Sequence, residues 1–463
     1  MHSIACFRRP ESSFLKSGLD HFSHFMKRII LFFPVFIVLV SASAQTSDTA
    51  GSKTLESCIQ YALDHQTNIR QAMIDEQITE REIRIRLSDW YPQINFSGNY
   101  QQNFQRPVTI FNNVVSPVGT YNQSAGFFGL NQTVFNRDVV LAQQSAKDVR
   151  LSAQQNTINN RIAVVSNVSK AFYDLLLSRE QIALLDTDIV LLQRSLKDAY
   201  NQYKGGLVDK TDYQRATISL NNSKASRKTA EETLKSRTAL LKLYMSFPID
   251  SSLRIFYDSI RMRDEVASFD TLQQVDVNNR IEYQQLLTQR RLQEENLKYY
   301  RWGYLPTVSV FGEYNLNYYS DQFKNIYQNN YPNSYAGLSV TLPIFTGTRR
   351  LQEVRVAKLQ IERLDYNFSS LKDSIRTQFI ETMSSYKSDL NNYYEQKENL
   401  DLARRVYDII QLQYRAGIKT YLDVVISNND LFSAQVNYTN AIYQVLSDKI
   451  DVERALGTLK YTY

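Results

Sequence analysis

Residues 306–318 read PTVSVFGEYNLNY, and their alternation decides what kind of molecule this is. Val308, Val310, Gly312, Tyr314, Leu316 and Tyr318 share one parity, whereas Thr307, Ser309, Glu313, Asn315 and Asn317 share the other. Successive side chains of a strand point to opposite faces, so the stretch predicts a strand with one apolar and one polar face. Residues 335–345, YAGLSVTLPIF, repeat the plan, with Ala336, Leu338, Val340, Leu342 and Ile344 set against Gly337, Ser339 and Thr341. A looser copy stands in the first half: Ile94, Phe96, Gly98 and Tyr100, then Phe128, Leu130 and Val134. The expected strands are about 10–13 residues long, enough to cross a bilayer when tilted. Polar, aromatic-rich loops at 105–123 and 319–334 join each pair.

Beyond the strands the chain lacks helix breakers. No Gly or Pro falls in 139–204, 207–247, 349–416 or 418–456, so each run is a candidate uninterrupted helix. The two longer runs would reach roughly 100 Å each at about 1.5 Å per residue. Phe172, Leu175, Leu176, Leu184, Leu185, Leu191, Leu192 and Leu196 recur at helical spacing opposite polar residues, which predicts coiled-coil packing. Each half reads helix (55–90 or 272–301), strand, loop, strand, long helix, break, shorter helix. Pro92 matches Pro306, and Phe135-Asn136 matches Phe345-Thr346, where strand gives way to helix. The expected organisation is an internal duplication: a first repeat over 45–247, a linker over 248–271 and a second repeat over 272–463. The breaks also match. In 202–212, QYKGGLVDKTD, Tyr203, Gly206 and Asp212 stand where Tyr414, Gly417 and Asp423 stand in 413–423, QYRAGIKTYLD. Gly206 and Gly417 are expected to supply the left-handed geometry that ends a helix.

Composition narrows the function. Residues 26–45 combine Lys27 and Arg28, an apolar run and Ala42-Ser43-Ala44, the pattern of a signal peptide over 26–44. Residues 1–25 fit poorly in front of it and are expected to be a mis-called extension, with Met26 the true start. The net charge of +6 rests partly on that leader and is too weak to argue for nucleic acid. After residue 44 the chain keeps one cysteine, Cys58, and one histidine, His65, so no disulfide can form within it. No nucleophile or phosphate-loop pattern is present, so neither an enzyme nor a cofactor is expected.

Four strands with one apolar face cannot stand alone in lipid, where unpaired edge groups cost several kcal/mol each. A closed barrel needs about eight strands or more. Three copies would give twelve, and two would also close. Trp90, Tyr91, Trp302 and Tyr304 sit just before the strands, where an interfacial aromatic girdle belongs; the alternative is ordinary core packing.

With these features in order, the chain resembles the TolC-type outer-membrane efflux protein family over essentially its whole mature length. The carrying features are the duplicated strand–strand–long-helix unit, the turn Leu342-Pro343-Ile344-Phe345-Thr346-Gly347, the Tyr-x-x-Gly breaks and the end Ala455-Leu456-Gly457. The resemblance implies an α+β membrane protein and a homotrimer. Its twelve-stranded outer-membrane β-barrel, four strands per chain, would be continued by a long periplasmic coiled-coil barrel of α-helices. It implies that the shorter helices stack end to end beside the long one. It also implies a gate at the periplasmic helix tips, and the matching positions are Asp212, Tyr414, Lys419 and Asp423. Lys419 stands where the family's best-known member has arginine, and Ile426 where that member has a second ring carboxylate. Asp212 keeps a second reading, as an acid favoured in the first turn of a helix, which Asp209 could equally fill. The implied partners are outer-membrane lipid, a periplasmic adaptor and an inner-membrane transporter of the RND or ABC type. The implied function is the exit duct of a tripartite export system for small molecules such as drugs. The alternatives are a type I protein-secretion duct, metal efflux, or a structural periplasmic coiled coil.

Overall fold

The computed structural model describes residues 53–206, 208–256, 266 and 269–462. The signal peptide and the Met26 start lie outside them. The first half runs α1 (Leu55–His65), α2 (Thr67–Ser88), β1 (Gln93–Gln102), β2 (Val108–Phe111), β3 (Val114–Pro117), β4 (Asn122–Phe135), α3 (Arg137–Lys204) and α4 (Lys210–Met245). The second runs α5 (Ile281–Arg301), β5 (Thr307–Ser320), β6 (Asn333–Thr341), α6 (Arg349–Arg415) and α7 (Tyr421–Leu456).

The long helices form as the breaker-free runs predict, at 68 residues for α3 and 67 for α6. Of the shorter helices, α1, α2, α4 and α7 start on a side-chain cap and α5 does not. Asn136, Asp209 and Thr420 side chains accept from the first-turn N–H groups of α3, α4 and α7, offsetting donors that a helix leaves unpaired; α3 shares this device although it is long. Both short-helix pairs meet end to end beside their long helix. Thr67 N at the start of α2 donates to Ser246 Oγ at the end of α4 (3.3 Å). Arg280, just before α5, donates to Ala455 O at the end of α7 (3.0 Å).

Four sequence expectations need correction. The helix expected over 55–90 breaks at Gln66, whose extended backbone (ψ 127) closes α1 and caps α2. No Gly or Pro marks the spot; the end of α4 docks there, and that contact is invisible in local sequence. The helix expected from 272 begins at Ile281, behind a short 3₁₀ turn at Val277–Asn279. The strand expected over 335–345 stops at Thr341, because Pro343 has no N–H for the ladder, and Ile344 and Phe345 stand exposed. The loop expected over 105–123 holds a hairpin, β2–β3, turning on Asn112 and Asn113 with φ of 49° and 63°. Two consecutive left-handed residues make the tight turn that suits strand twist, and Asn tolerates that geometry.

The sheet is antiparallel, in the order β1-β4-β5-β6. Its register aligns Ile94, Leu130, Gly312 and Ala336 in one row and Phe96, Phe128, Tyr314 and Ser334 in another. The apolar face is bare: Ile94 is 74% exposed and Leu338 63%. The other face carries Asn95, Ser97, Glu313, Asn315 and Asn317, as the alternation predicts. β1 and β6 are the open edges of the sheet.

The main apolar core lies midway along the helices. It joins Cys58 and Ile59 of α1, Val164–Leu176 of α3, Leu241 and Met245 of α4, Tyr386 of α6 and Leu446 of α7. The linker packs on this belt: Lys53 bridges Ile255, Arg179 donates to Ile255 O (3.1 Å), and Phe269 meets Tyr386 edge-on.

Candidate functional site

The tips of α3–α4 and α6–α7 bring most of the expected gate residues together. Both turns end on a left-handed glycine, Gly206 and Gly417, each with φ of 72°. A Cβ at either would meet nothing within 4 Å, so the requirement for glycine is one of backbone conformation alone. After Gly417, Ile418 N donates to Gln413 O (2.9 Å) and closes the helix end.

Asp423 is the N3 residue of α7. Its Oδ2 accepts from Thr420 N (2.9 Å) and Thr420 Oγ1 (2.8 Å), while its own N–H donates to Thr420 Oγ1, a reciprocal capping box. Those Thr420 bonds, and then Lys419, hold its carboxyl below the usual range. Lys419 Nζ stands 3.9 Å from Asp423 Oδ1. Within one chain, therefore, Lys419 turns to Asp423, and Asp423 has a structural task besides any role at the mouth. Asp212 sits in the first turn of α4, where its N–H donates to Asp209 O (3.2 Å). Among the described residues no donor or cation pairs with its carboxylate, and the cap of α4 is Asp209.

Tyr414 donates its hydroxyl to Gln202 Oε1 (2.7 Å), which ties the end of α6 to the end of α3. Burial raises its pKa, against the Gln202 bond; the charges of Asp212 and Asp198 add to the rise. Gln202 was not anticipated, and neither was Tyr421. The Tyr421 side chain is 3% exposed, and its hydroxyl has no partner among the described residues. Burial pushes its pKa up, and the nearby Tyr414 and Asp212 add to this. Tyr414 and Tyr421 meet edge-on at 6.0 Å, and Tyr200 and Tyr203 pack on Tyr213 at 5.7 and 5.1 Å. A cleft of about 260 Å³ opens between Asp198, Gln202, Arg415 and Tyr421. The sequence signal for this cluster was the crowding of tyrosines about both breaks.

At the other end of the helices, Trp90, Tyr91, Trp302 and Tyr304 occupy the helix-to-strand junctions of both halves. Trp90 is 39% exposed and Tyr91 69%, while Tyr304 lies under the Arg350 guanidinium at 4.7 Å. Arg350 itself is buried and donates to Gly303 O, Pro343 O and Thr346 Oγ1. It pins the strand-to-helix turn, a role that the sequence reading missed. Among the described residues no cluster of three His, Cys, Asp or Glu could hold a metal ion.

Residues 58–245 and 278–458 match the family described as outer membrane efflux protein. The chain belongs to that family. The two matched stretches are the two halves of the fold, each with its long helix. The chain is 22% identical to the outer membrane protein TolC of Salmonella enteritidis, over 94% of this chain and 87% of that protein. It is 20% identical to the antibiotic efflux pump outer membrane protein ArpC of Pseudomonas putida, over 87% of this chain and 82% of that one. The solved structure of CusC superposes with a TM-score of 0.71 at 15% identity, covering 89% of this chain and 95% of that chain. The efflux family member described here is thus an outer-membrane channel protein, with its helices on the periplasmic side.

Proposed function

We propose that three copies of this chain close into a twelve-stranded barrel, continued by a barrel of long helices. The observation that carries the reading is the sheet: four strands, one bare apolar face, one polar face and two open edges, β1 and β6. Open edges are untenable in lipid, and pairing β6 of one copy with β1 of the next removes them all. The apolar face then meets lipid and the Asn- and Ser-rich face lines a water-filled lumen. Trp90, Tyr91, Trp302 and Tyr304 lie at the membrane interface, where amphipathic rings are favoured. The repeated element order reflects an internal duplication, 45–247 and 272–463 about the linker 248–271.

The efflux family member acts as the exit duct of a tripartite pump for small molecules, with a periplasmic adaptor and an inner-membrane RND or ABC transporter. ArpC, named for an antibiotic efflux pump, supports that cargo class. The tips are the gate. Gln202–Tyr414 joins α3 to α6, and Asp212, Lys419 and Asp423 carry the charges that face neighbouring copies at the mouth. Individually such contacts are weak, about 0–1 kcal/mol for an exposed ion pair, as a gate opened by a partner requires.

Single-channel conductance in planar bilayers tests the reading, comparing the native protein with Asp212→Ala plus Lys419→Ala. The expected result is a small native conductance that rises severalfold in the double variant. A large, unchanged conductance removes the gate from these residues; no conductance from inserted protein removes the channel itself.

A further inference from the structure

Asp188 sits on α3, on the order of 25 Å above the end of that helix at about 1.5 Å per residue, and it is 8% exposed. A buried carboxylate is costly unless donors surround it. Two do: Ser223 of α4 donates its hydroxyl to Oδ2, and Asn428 of α7 donates Nδ2 to Oδ1 at 3.0 Å. Ser223 and Asn428 are buried too, at 9% and 6% exposure. Tyr407 of the fourth helix, α6, lies within reach of that charge without bonding to it, and its hydroxyl accepts from Gln411 Nε2 at 2.7 Å. Asp188 therefore joins α3, α4 and α7 at one buried junction.

Its two hydrogen bonds differ in kind. α3 and α4 form one antiparallel hairpin and α6 and α7 another. The Ser223 bond stays within the first hairpin, whereas the Asn428 bond crosses to the second. Other crossing contacts are Gln202–Tyr414 near the tip, Gln181–Asn440 (3.2 Å) and Lys170–Asp451 higher up. Of these four, Asp188–Asn428 is the most buried and so the least weakened by water.

We propose that Asp188 and Asn428 form a second latch of the closed channel, above the tip, which must break when the two hairpins part. This rests on the gate reading given above. A hydrogen bond to a charged acceptor is worth more than a neutral one, so Asp188 resists parting more than Gln202–Tyr414 does.

The test is single-channel conductance of the assembled protein. Asn428→Ala and Ser223→Ala each remove one bond to Asp188, so a purely structural role predicts the same response from both. The latch predicts that Asn428→Ala raises mean conductance severalfold while Ser223→Ala stays at the native level. Asn428→Asp, which sets two carboxylates together, raises it further. Adding Asp188→Asn restores the native level, because one carboxylate and one amide again share the junction. That exchanged pair decides the matter if a single variant fails to assemble. Equal responses from Asn428→Ala and Ser223→Ala, or no rescue by the exchange, overturn the latch while leaving the gate intact, provided that Asp212→Ala plus Lys419→Ala opens the channel. If that tip variant also leaves inserted channels unchanged, the gate reading falls and the latch falls with it.

Discussion

The pairing of Asp448 on α7 with Asp389 on α6 makes the stability of the efflux protein depend on pH in an unusual direction. Asp448 is 7% exposed. Its Oδ1 accepts from Gln444 Nε2 (3.1 Å), and its Oδ2 has no donor among the described residues. Burial comes first, then the Asp389 carboxyl against it and the charge of Asp451; together they push its pKa up to about 7. Asp451 is itself engaged by Lys170 of α3, so that cation is not free to compensate Asp448. In the unfolded chain the group titrates near 3.8. Between those values the folded form binds more protons than the unfolded form, so stability is full at low pH and falls as pH rises towards 7. At about 1.4 kcal/mol per pH unit the loss has a ceiling of about 4 kcal/mol per chain. Asp448→Asn removes the titration and lets an amide donate to Asp389. The variant is expected to match the native protein near pH 4 and to exceed it by a few kcal/mol, on the order of that ceiling, at pH 8. Denaturant unfolding followed by circular dichroism between those limits measures it. Parallel pH profiles for the two proteins would refute the raised Asp448 pKa.

Gly417→Ala costs only left-handed strain, about 1–2 kcal/mol, because nothing lies near its Cβ. Gly457→Ala has the same sign of φ but would set its Cβ 2.8 Å from Asn279 O, so its loss of thermal stability is expected to be clearly larger; equal losses contradict this. Arg350→Met strands the carbonyls of Gly303 and Pro343 and is expected to cost about 2–4 kcal/mol. Arg350→Lys rescues little, since a point charge cannot span three acceptors. Hydrogen exchange is expected to be slowest over 164–176, in the apolar belt, and faster over 196–204 and 413–418. The reverse order would contradict a tip that moves.

Periodicity and punctuation carried most of the fold. Strand faces were legible because Val308, Val310 and Tyr314 alternate with Ser309, Glu313 and Asn315, and the period of two leaves no other reading. The long helices were legible because 349–416 offers nothing to stop one. What escaped depends on tertiary contact. Gln66 ends a helix because Ser246 arrives beside it, and its own neighbours say nothing of this. Asn112-Asn113 was an unrecognised turn signal. At the tip, Gly206, Gly417 and Tyr414 could be found by matching the two breaks. Gln202, Tyr421 and Asp188 could not, because each acquires its role from a partner many residues away.

The distribution of buried residues supports the proposed gate at the tips, with the rest of the molecule as its scaffold. In the middle of the molecule α1, α3, α4, α6 and α7 share one continuous apolar cluster, with Tyr386, Leu176, Leu241 and Leu446 almost wholly enclosed. Unmaking it would expose several large side chains at roughly 1.5–3 kcal/mol each. At the tip the enclosed apolar group shrinks to Ala199, Ala216 and Tyr421. There the hairpins are joined by tyrosine hydroxyls and side-chain amides, each worth about 1 kcal/mol net and readily exchanged for water. Cohesion thus falls steeply from the belt to the tips, so in the proposed gate a few kcal/mol supplied at the tips would part the hairpins while the belt stays whole. A tip as apolar as the belt would hold the channel shut or let it collapse; a polar tip lets closure be reversed.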